Sequence, residues 1–202
     1  TMLGGLLHQA TAAQTGLTQA SGVDMQHVAA LVEPTQLVEH AGSGPRILLI
    51  DAGTKEGLLR ALLSRGAAVV RAPASAPWEQ FLDGERAVDG VLIGNGPGDP
   101  QALRELAQRL RAVLAAGLPT LGICLGHQLL AISVGAQTYK LPYGHRSHNQ
   151  PVLHRPSQRA FITSQNHGYA VRTETLPDDW ISSFENLNDG TNEGMSHREK
   201  PF

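Results

Sequence analysis

One cysteine stands in the whole chain, Cys124, within Leu121-Gly-Ile-Cys-Leu-Gly-His-Gln128. A short apolar run ends at Ile123 and a helical pattern begins near Gly126, so the thiol sits where a strand turns into a helix. Such a turn holds a side chain above a sheet edge, and the first free N–H groups of the helix lower a thiol pKa and can cradle an oxyanion. A lone cysteine is more often a buried, inert small hydrophobe. What else the fold brings to the same place therefore decides the reading.

Two other segments carry polar chemistry. Gly94-Asn-Gly-Pro-Gly-Asp-Pro100 follows an apolar run and opens onto a helical pattern. Its glycines let backbone approach a ligand closely and can aim N–H groups at a carbonyl oxygen or carboxylate, although a tight strand-to-helix turn would use the same residues. Thr163-Ser-Gln-Asn-His-Gly-Tyr169 gathers hydroxyl, amide, imidazole and phenol groups. That set can hydrogen-bond the amino and carboxylate groups of an amino acid, or cap a polar turn. His127, His145, His148, His154 and His197 each read as surface or capping histidines. No spacing of His with Cys or carboxylate resembles a zinc site, so no metal is expected. Glu193 and His197, four apart in a strand-like or turn segment, read as a solvated face, and Asp178-Asp179 after Pro177 as a turn or helix start.

The elements that must position these groups alternate. Ile47 to Asp51 forms a buried-strand run, and Thr54 to Arg65 places Leu58, Leu59, Leu62 and Leu63 on one helical face. Further strands are predicted over Ala67 to Val70, Val91 to Ile93 and Thr120 to Ile123, with helices over Pro77 to Leu82 and Gln101 to Ala116. The fold class expected is α/β, a doubly wound, mostly parallel sheet with helices on both faces. Ligands of such sheets bind beyond the carboxyl ends of the strands, where both the 94–100 loop and Cys124 would lie. Beyond Gly135 the pattern turns β-rich, with short pieces at Gln137 to Leu141, Gln150 to His154, Ala160 to Ser164, Tyr169 to Arg172 and Ile181 to Asn186. Residues 1–44 read as a tail or linker and residues 45–202 as the folded domain.

At 202 residues the chain can bury a sizeable core, and sixteen Lys+Arg against eighteen Asp+Glu give a charge of -2. No electrostatic footprint argues for nucleic acid or a membrane surface. One cysteine makes no internal disulfide, which points to a reducing compartment, and neither a signal peptide nor an apolar span of roughly 18 residues is present; a cytoplasmic protein is expected. Thr1 does not read as a natural first residue, and the 199–202 segment stops where a strand would begin, so both ends read as cut from a longer chain.

Together the motifs resemble the class I, triad-type glutamine amidotransferases, and within them the glutaminase chain of carbamoyl-phosphate synthase. Gly122 to Ala131 matches the nucleophile motif and Asn95 to Pro100 the oxyanion and substrate loop; Gly144 to Pro151, Thr163 to Ala170 and Asn188 to Gly194 carry the narrower likeness. The wording is most similar to the eukaryotic pyrimidine-pathway type. The resemblance implies a flavodoxin-like fold and hydrolysis of L-glutamine for pyrimidine or arginine synthesis. Cys124 would attack the carboxamide, Leu125 and Gly98 would stabilise the oxyanion, and Gly96, Gln128, Asn166, Gly168 and Tyr169 would hold the substrate. It further implies a synthetase partner, separate or fused, to which ATP and Mg belong; no cofactor is expected in this chain. The family's general base and its orienting carboxylate lie in a His-Pro-Glu motif about six residues past a segment like Lys200-Pro-Phe202, so they are absent from this sequence and the isolated chain is expected to be nearly inactive. A separate N-terminal domain would precede Thr1. The alternatives are another class I amidotransferase and a non-catalytic scaffold that braces an ammonia-dependent synthetase.

Overall fold

The computed structural model describes residues 28–202; residues 1–27, the larger part of the segment read as a tail, lie outside them. After a short helix α1 (Val28–Val32), the first half of the described chain builds one sheet from β1 (Val38–His40), β2 (Arg46–Asp51), β3 (Ala68–Pro73), β4 (Gly90–Ile93) and β5 (Thr120–Gly122). Their order is β1-β3-β2-β4-β5, parallel throughout except for β1, which runs antiparallel on the β3 edge. The sequence pattern shows no strand at 38–40, because three half-exposed edge residues carry no apolar run.

Consecutive apolar residues make these strands suited to burial on both faces. Leu48, Ile50, Val70, Val91 and Ile93 face α3 (Arg104–Ala116), α4 (Leu125–Ser133) and the rings of Trp78 and Phe81. Leu49, Val69 and Leu92 face the opposite way, onto Leu59 of α2 (Glu56–Leu63). The doubly covered sheet predicted from sequence is therefore observed. Two expected helices are shorter than the pattern suggested. Trp78–Phe81 is a single 3-10 turn, and the start of the 101–116 helix is a 3-10 turn, Pro100–Leu103. There Asp99 accepts a 2.8 Å hydrogen bond from the Gln101 N–H, and Pro100 takes the first helical position.

The second half is antiparallel. β6 (Thr138–His154), β7 (Arg159–Val171), β8 (Trp180–Asn186) and β9 (Asn192–His197) close into a ring in the order β6-β7-β9-β8. Four of the five predicted pieces are segments of just two long strands. Register shifts between Lys140 and His145 and between Ser147 and Gln150 break the alternation that sequence reading relies on. The first irregularity contains Gly144 at φ 68°, where a Cβ would lie 2.7 Å from the His167 carbonyl oxygen. β9 makes a regular strand of the segment around Glu193 and His197, for which a strand or a turn was expected.

The halves meet where Ala131 of α4 packs with Ala136 and Val171. The 198–202 segment then returns to the sheet, with Thr120 N–H donating to the Pro201 carbonyl at 2.9 Å and Phe202 stacked on Trp180. Among the described residues no helix is long and apolar enough to cross a membrane.

Candidate active site

The sheet reverses its winding between β2 and β4, and a cleft of about 910 Å³ opens beyond the carboxyl ends of β2, β4 and β5. Cys124 lies on its floor. The residue joins β5 to α4 with φ 54° and ψ -106°, a left-handed conformation that a non-glycine side chain rarely takes. Such backbone costs on the order of 1–3 kcal/mol and persists only where the surroundings enforce it. The enforcing contacts are steric. A Cβ on Gly126 would lie 2.2 Å from the Ile93 carbonyl oxygen, and one on Gly122 2.6 Å from the backbone of Gly126. Strand, turn and helix start therefore pack backbone against backbone, and the cysteine is carried outward at the helix N-terminus.

The sulfur lies 3.9 Å from the Asn166 carbonyl oxygen. Burial pushes its pKa up, and the Glu193 carboxylate adds to that; the Leu125 N–H and the Lys55 ammonium pull the other way without reversing it. The resting group is a protonated thiol, which needs a proton acceptor when it attacks.

Gly96, Gln128, Asn166 and Tyr169 line the same cleft as Cys124. Gln128, almost fully buried, donates from Nε2 to the Tyr169 carbonyl at 2.8 Å and so ties α4 to β7. Gly96 passes so close to the sheet that a Cβ would meet the Ala52 carbonyl oxygen at 2.7 Å. The Tyr169 phenol, its pKa raised first by burial and then by Asp99, reaches across to the 94–100 loop. Leu125, Gly98 and Gly168 are not among the lining residues. Leu125 is buried with its N–H against the sulfur. Gly98 turns the loop at φ 101°, two residues past Gly96. Gly168 is the backbone link between Asn166 and Tyr169 in β7.

Several cleft residues escaped the sequence reading. Lys55 and Gly53 line it after β2, from a loop pinned by the buried Asp51, which accepts from the Gly53 and Thr54 N–H groups at 2.8 and 2.6 Å and pairs with Arg71 at 2.7 Å. The rule that led to the 94–100 loop, ligands beyond the carboxyl ends of parallel strands, applies equally to 51–55 and was the available signal.

Four readings of single residues are corrected. His197, read with Glu193 as a solvated face, has its side chain 8% exposed, packed against the rings of Trp180 and Phe202. Glu193 is not on a solvated face: it points into the antiparallel ring with its side chain 10% exposed, between His145 and His167. His145 is likewise interior at 11% exposed, because the β6 irregularity turns it inward. His127 buries its Nε2 with no hydrogen-bond partner among the described residues, and burial lowers its pKa to about 4, so it is neutral rather than a surface cation. His167 is held at both ring nitrogens, Nδ1 by the Tyr169 carbonyl at 2.9 Å and Nε2 by Glu193 at 3.1 Å. Burial alone would lower its pKa, but the Glu193 carboxylate outweighs burial and raises it.

The family model of class-I glutamine amidotransferases matches residues 48–202. The chain is 49% identical over 167 residues to the carbamoyl phosphate synthase arginine-specific small chain of Hypocrea virens, covering 82% of this chain and 36% of that protein. It is 51% identical over 157 residues to the chain of the same name from Chaetomium globosum, covering 77% and 33%. It thus spans about a third of the length of these curated relatives. Among solved structures, a protein of Thermoplasma acidophilum described as a component of GMP synthase superposes with a TM-score of 0.64 at 22% identity, covering 80% of this chain and 81% of that one. A glutamine amidotransferase of Thermotoga maritima superposes with 0.59 at 20% identity, covering 77% and 72%. At such identities the superpositions speak for the fold alone, which is the flavodoxin-like one, while the family model matches more than half of the sequence: the chain belongs to the class-I glutamine amidotransferases.

Proposed function

We propose that the chain is the glutamine-hydrolysing portion of a carbamoyl-phosphate synthase. The observation that carries this reading is the strained Cys124 at the start of α4, opening into a cleft walled by the Asn166–Tyr169 stretch of β7. Cys124 Sγ attacks the carboxamide carbon of L-glutamine, giving a tetrahedral oxyanion. Collapse of that oxyanion breaks the C–N bond and leaves a γ-glutamyl thioester, while the thiol proton passes to the departing ammonia through a base. The Leu125 and Gly98 N–H groups are the oxyanion donors in this scheme, each worth on the order of 3 kcal/mol. Gly96, Gln128, Asn166, Gly168 and Tyr169 hold the amino acid, and water then hydrolyses the thioester to glutamate. Because the resting thiol is protonated, attack needs a base, and a His with an orienting carboxylate would supply it.

Ammonia released here serves a synthetase partner that makes carbamoyl phosphate with ATP and Mg. The names of the relatives favour arginine over pyrimidine synthesis as its destination.

An electrophilic glutamine analogue tests the reading. Mass spectrometry of the full-length protein is expected to find the label on Cys124, with protection by glutamine and no label in Cys124→Ser. Full-length protein that takes up no label would refute it.

A further inference from the structure

Inside the antiparallel ring, at the wall of the cleft, β6, β7 and β9 bring His145, His167 and Glu193 together, with one ligand atom from each within 4.8 Å of the others. No linear spacing announces the group, since each residue comes from a different strand. The interest lies in how the rings are held. His145 presents Nε2 to Asp189 Oδ2 at 2.9 Å and turns Nδ1 inward, 3.1 Å from Glu193 Oε1. His167 presents Nδ1 to the Tyr169 carbonyl at 2.9 Å and turns Nε2 inward, 3.1 Å from Glu193 Oε2. Each imidazole thus has one nitrogen anchored to an oxygen and the other aimed at a shared carboxylate. Metal-binding histidines are oriented in this way, with an outer carboxylate or carbonyl fixing the ring.

A fourth oxygen completes the set. Gln165 Oε1 lies 2.7 Å from His145 Nδ1 and 3.3 Å from His167 Nε2, and its amide orientation is fixed because Nε2 donates to Thr163 Oγ1 at 3.1 Å. Glu193 Oε1 is steadied in turn by the Thr191 hydroxyl at 2.9 Å. Ligand atoms around a tetrahedral ion with bonds of about 2.0–2.1 Å stand roughly 3.3 Å apart. The 2.7–3.3 Å separations between the inner nitrogens and these oxygens need only small adjustments to reach that figure. Both inner nitrogens face oxygens of Glu193 and Gln165, and Asn186 Nδ2 stands 3.4 Å from His145 Nδ1 and from Gln165 Oε1. A divalent cation at the centre satisfies both inner nitrogens and the carboxylate at once.

We infer that His145, His167, Glu193 and Gln165 form a binding site for one divalent transition-metal ion of the zinc type, clipping β6, β7 and β9 together beside the cysteine cleft. Two imidazoles with carboxyl and amide oxygens suit zinc or cobalt and disfavour calcium or magnesium, which take oxygen cages.

Chelator-stripped chain should bind one Zn2+ by calorimetry, and Co2+ should give visible d–d bands without thiolate charge transfer. Cys124→Ser should leave the affinity unchanged, whereas Glu193→Ala should abolish saturable binding. Asp189→Asn changes the outer anchor of His145, keeps one side-chain oxygen to accept from Thr191, and sits at a half-exposed side chain, so it tests the site even if Glu193→Ala fails to fold. It should weaken binding roughly 10- to 100-fold. Wild-type chain without saturable binding would mean that protons alone hold the cluster and would overturn the inference. Binding that disappears in Cys124→Ser would overturn it too, by placing the ion on the thiol. None of these readouts depends on glutamine hydrolysis, so the result stands apart from the proposed function.

Discussion

In the parallel half, β2 buries Leu48, Leu49 and Ile50 on its two faces, and the cysteine turn is shaped by backbone packed against glycine. In the antiparallel half, the interior beside the cleft is filled instead by His145, His167, Glu193, Asn186 and Gln165, tied by hydrogen bonds. The first region rests on apolar burial and steric fit, which depend little on pH. The second rests on a polar network, where every buried group needs its partner and protonation matters. The difference places rigidity under the nucleophile and a charge-sensitive wall opposite it.

The comparison breaks most sharply at Gly126. Gly126→Ala drives a Cβ into the Ile93 carbonyl, and with no flexible side chain to yield, a loss of roughly 4 kcal/mol or more in urea unfolding is expected. Gly190→Ala in the antiparallel half meets no atom within 4 Å and carries only its positive φ, so about 1–2 kcal/mol is expected there.

Glu193→Ala should cost roughly 3–5 kcal/mol by leaving two interior imidazoles without their carboxylate. Burial would raise the Glu193 pKa, but its His167 hydrogen bond and charge lower it on balance, while Glu193 raises that of His167. A lowered carboxylate contributes fully above its ordinary 4.5, and a raised imidazole contributes fully below its ordinary 6.5. The cost should therefore peak between these values and fade as pH rises through the His167 value. Chemical unfolding across that range checks it.

Leu110→Ala, removing a fully buried side chain of α3, should cost about 3 kcal/mol at every pH. A Leu110 effect that followed pH would dissolve the contrast between the halves.

His127, at the seam, should add a pH slope of its own. Its folded pKa of about 4 lies below the ordinary 6.5, so between these values the unfolded chain binds a proton that the folded one does not. Stability should rise with pH across that window, by on the order of 3 kcal/mol at most, and be lost as pH falls. His127→Asn should flatten the slope. The smallest effect is expected for Ile162→Thr at an exposed β7 position, within about 0.5 kcal/mol.

Much of the parallel half was legible. Its strands are consecutive apolar runs, and Cys124, Gly96 and Gln128 fall where strand ends and helix starts place them. The antiparallel half was harder to read, since the β6 and β7 irregularities scramble the alternation of inward and outward residues. Four short strands were expected where two long ones run. Glu193 looked like a surface acid because nothing near it in sequence shows that β9 turns it toward His167.

The sequence by itself determined the alternating α/β order, the family motifs and the identity of the candidate nucleophile, because local apolar patterning and glycine spacing are short-range properties. Only the tertiary structure decided that Lys55 shares the Cys124 cleft and that His145, His167 and Glu193 meet. Those groups come from loops and strands far apart in the chain, and strand order and register, rather than spacing along the sequence, bring them within reach of one another.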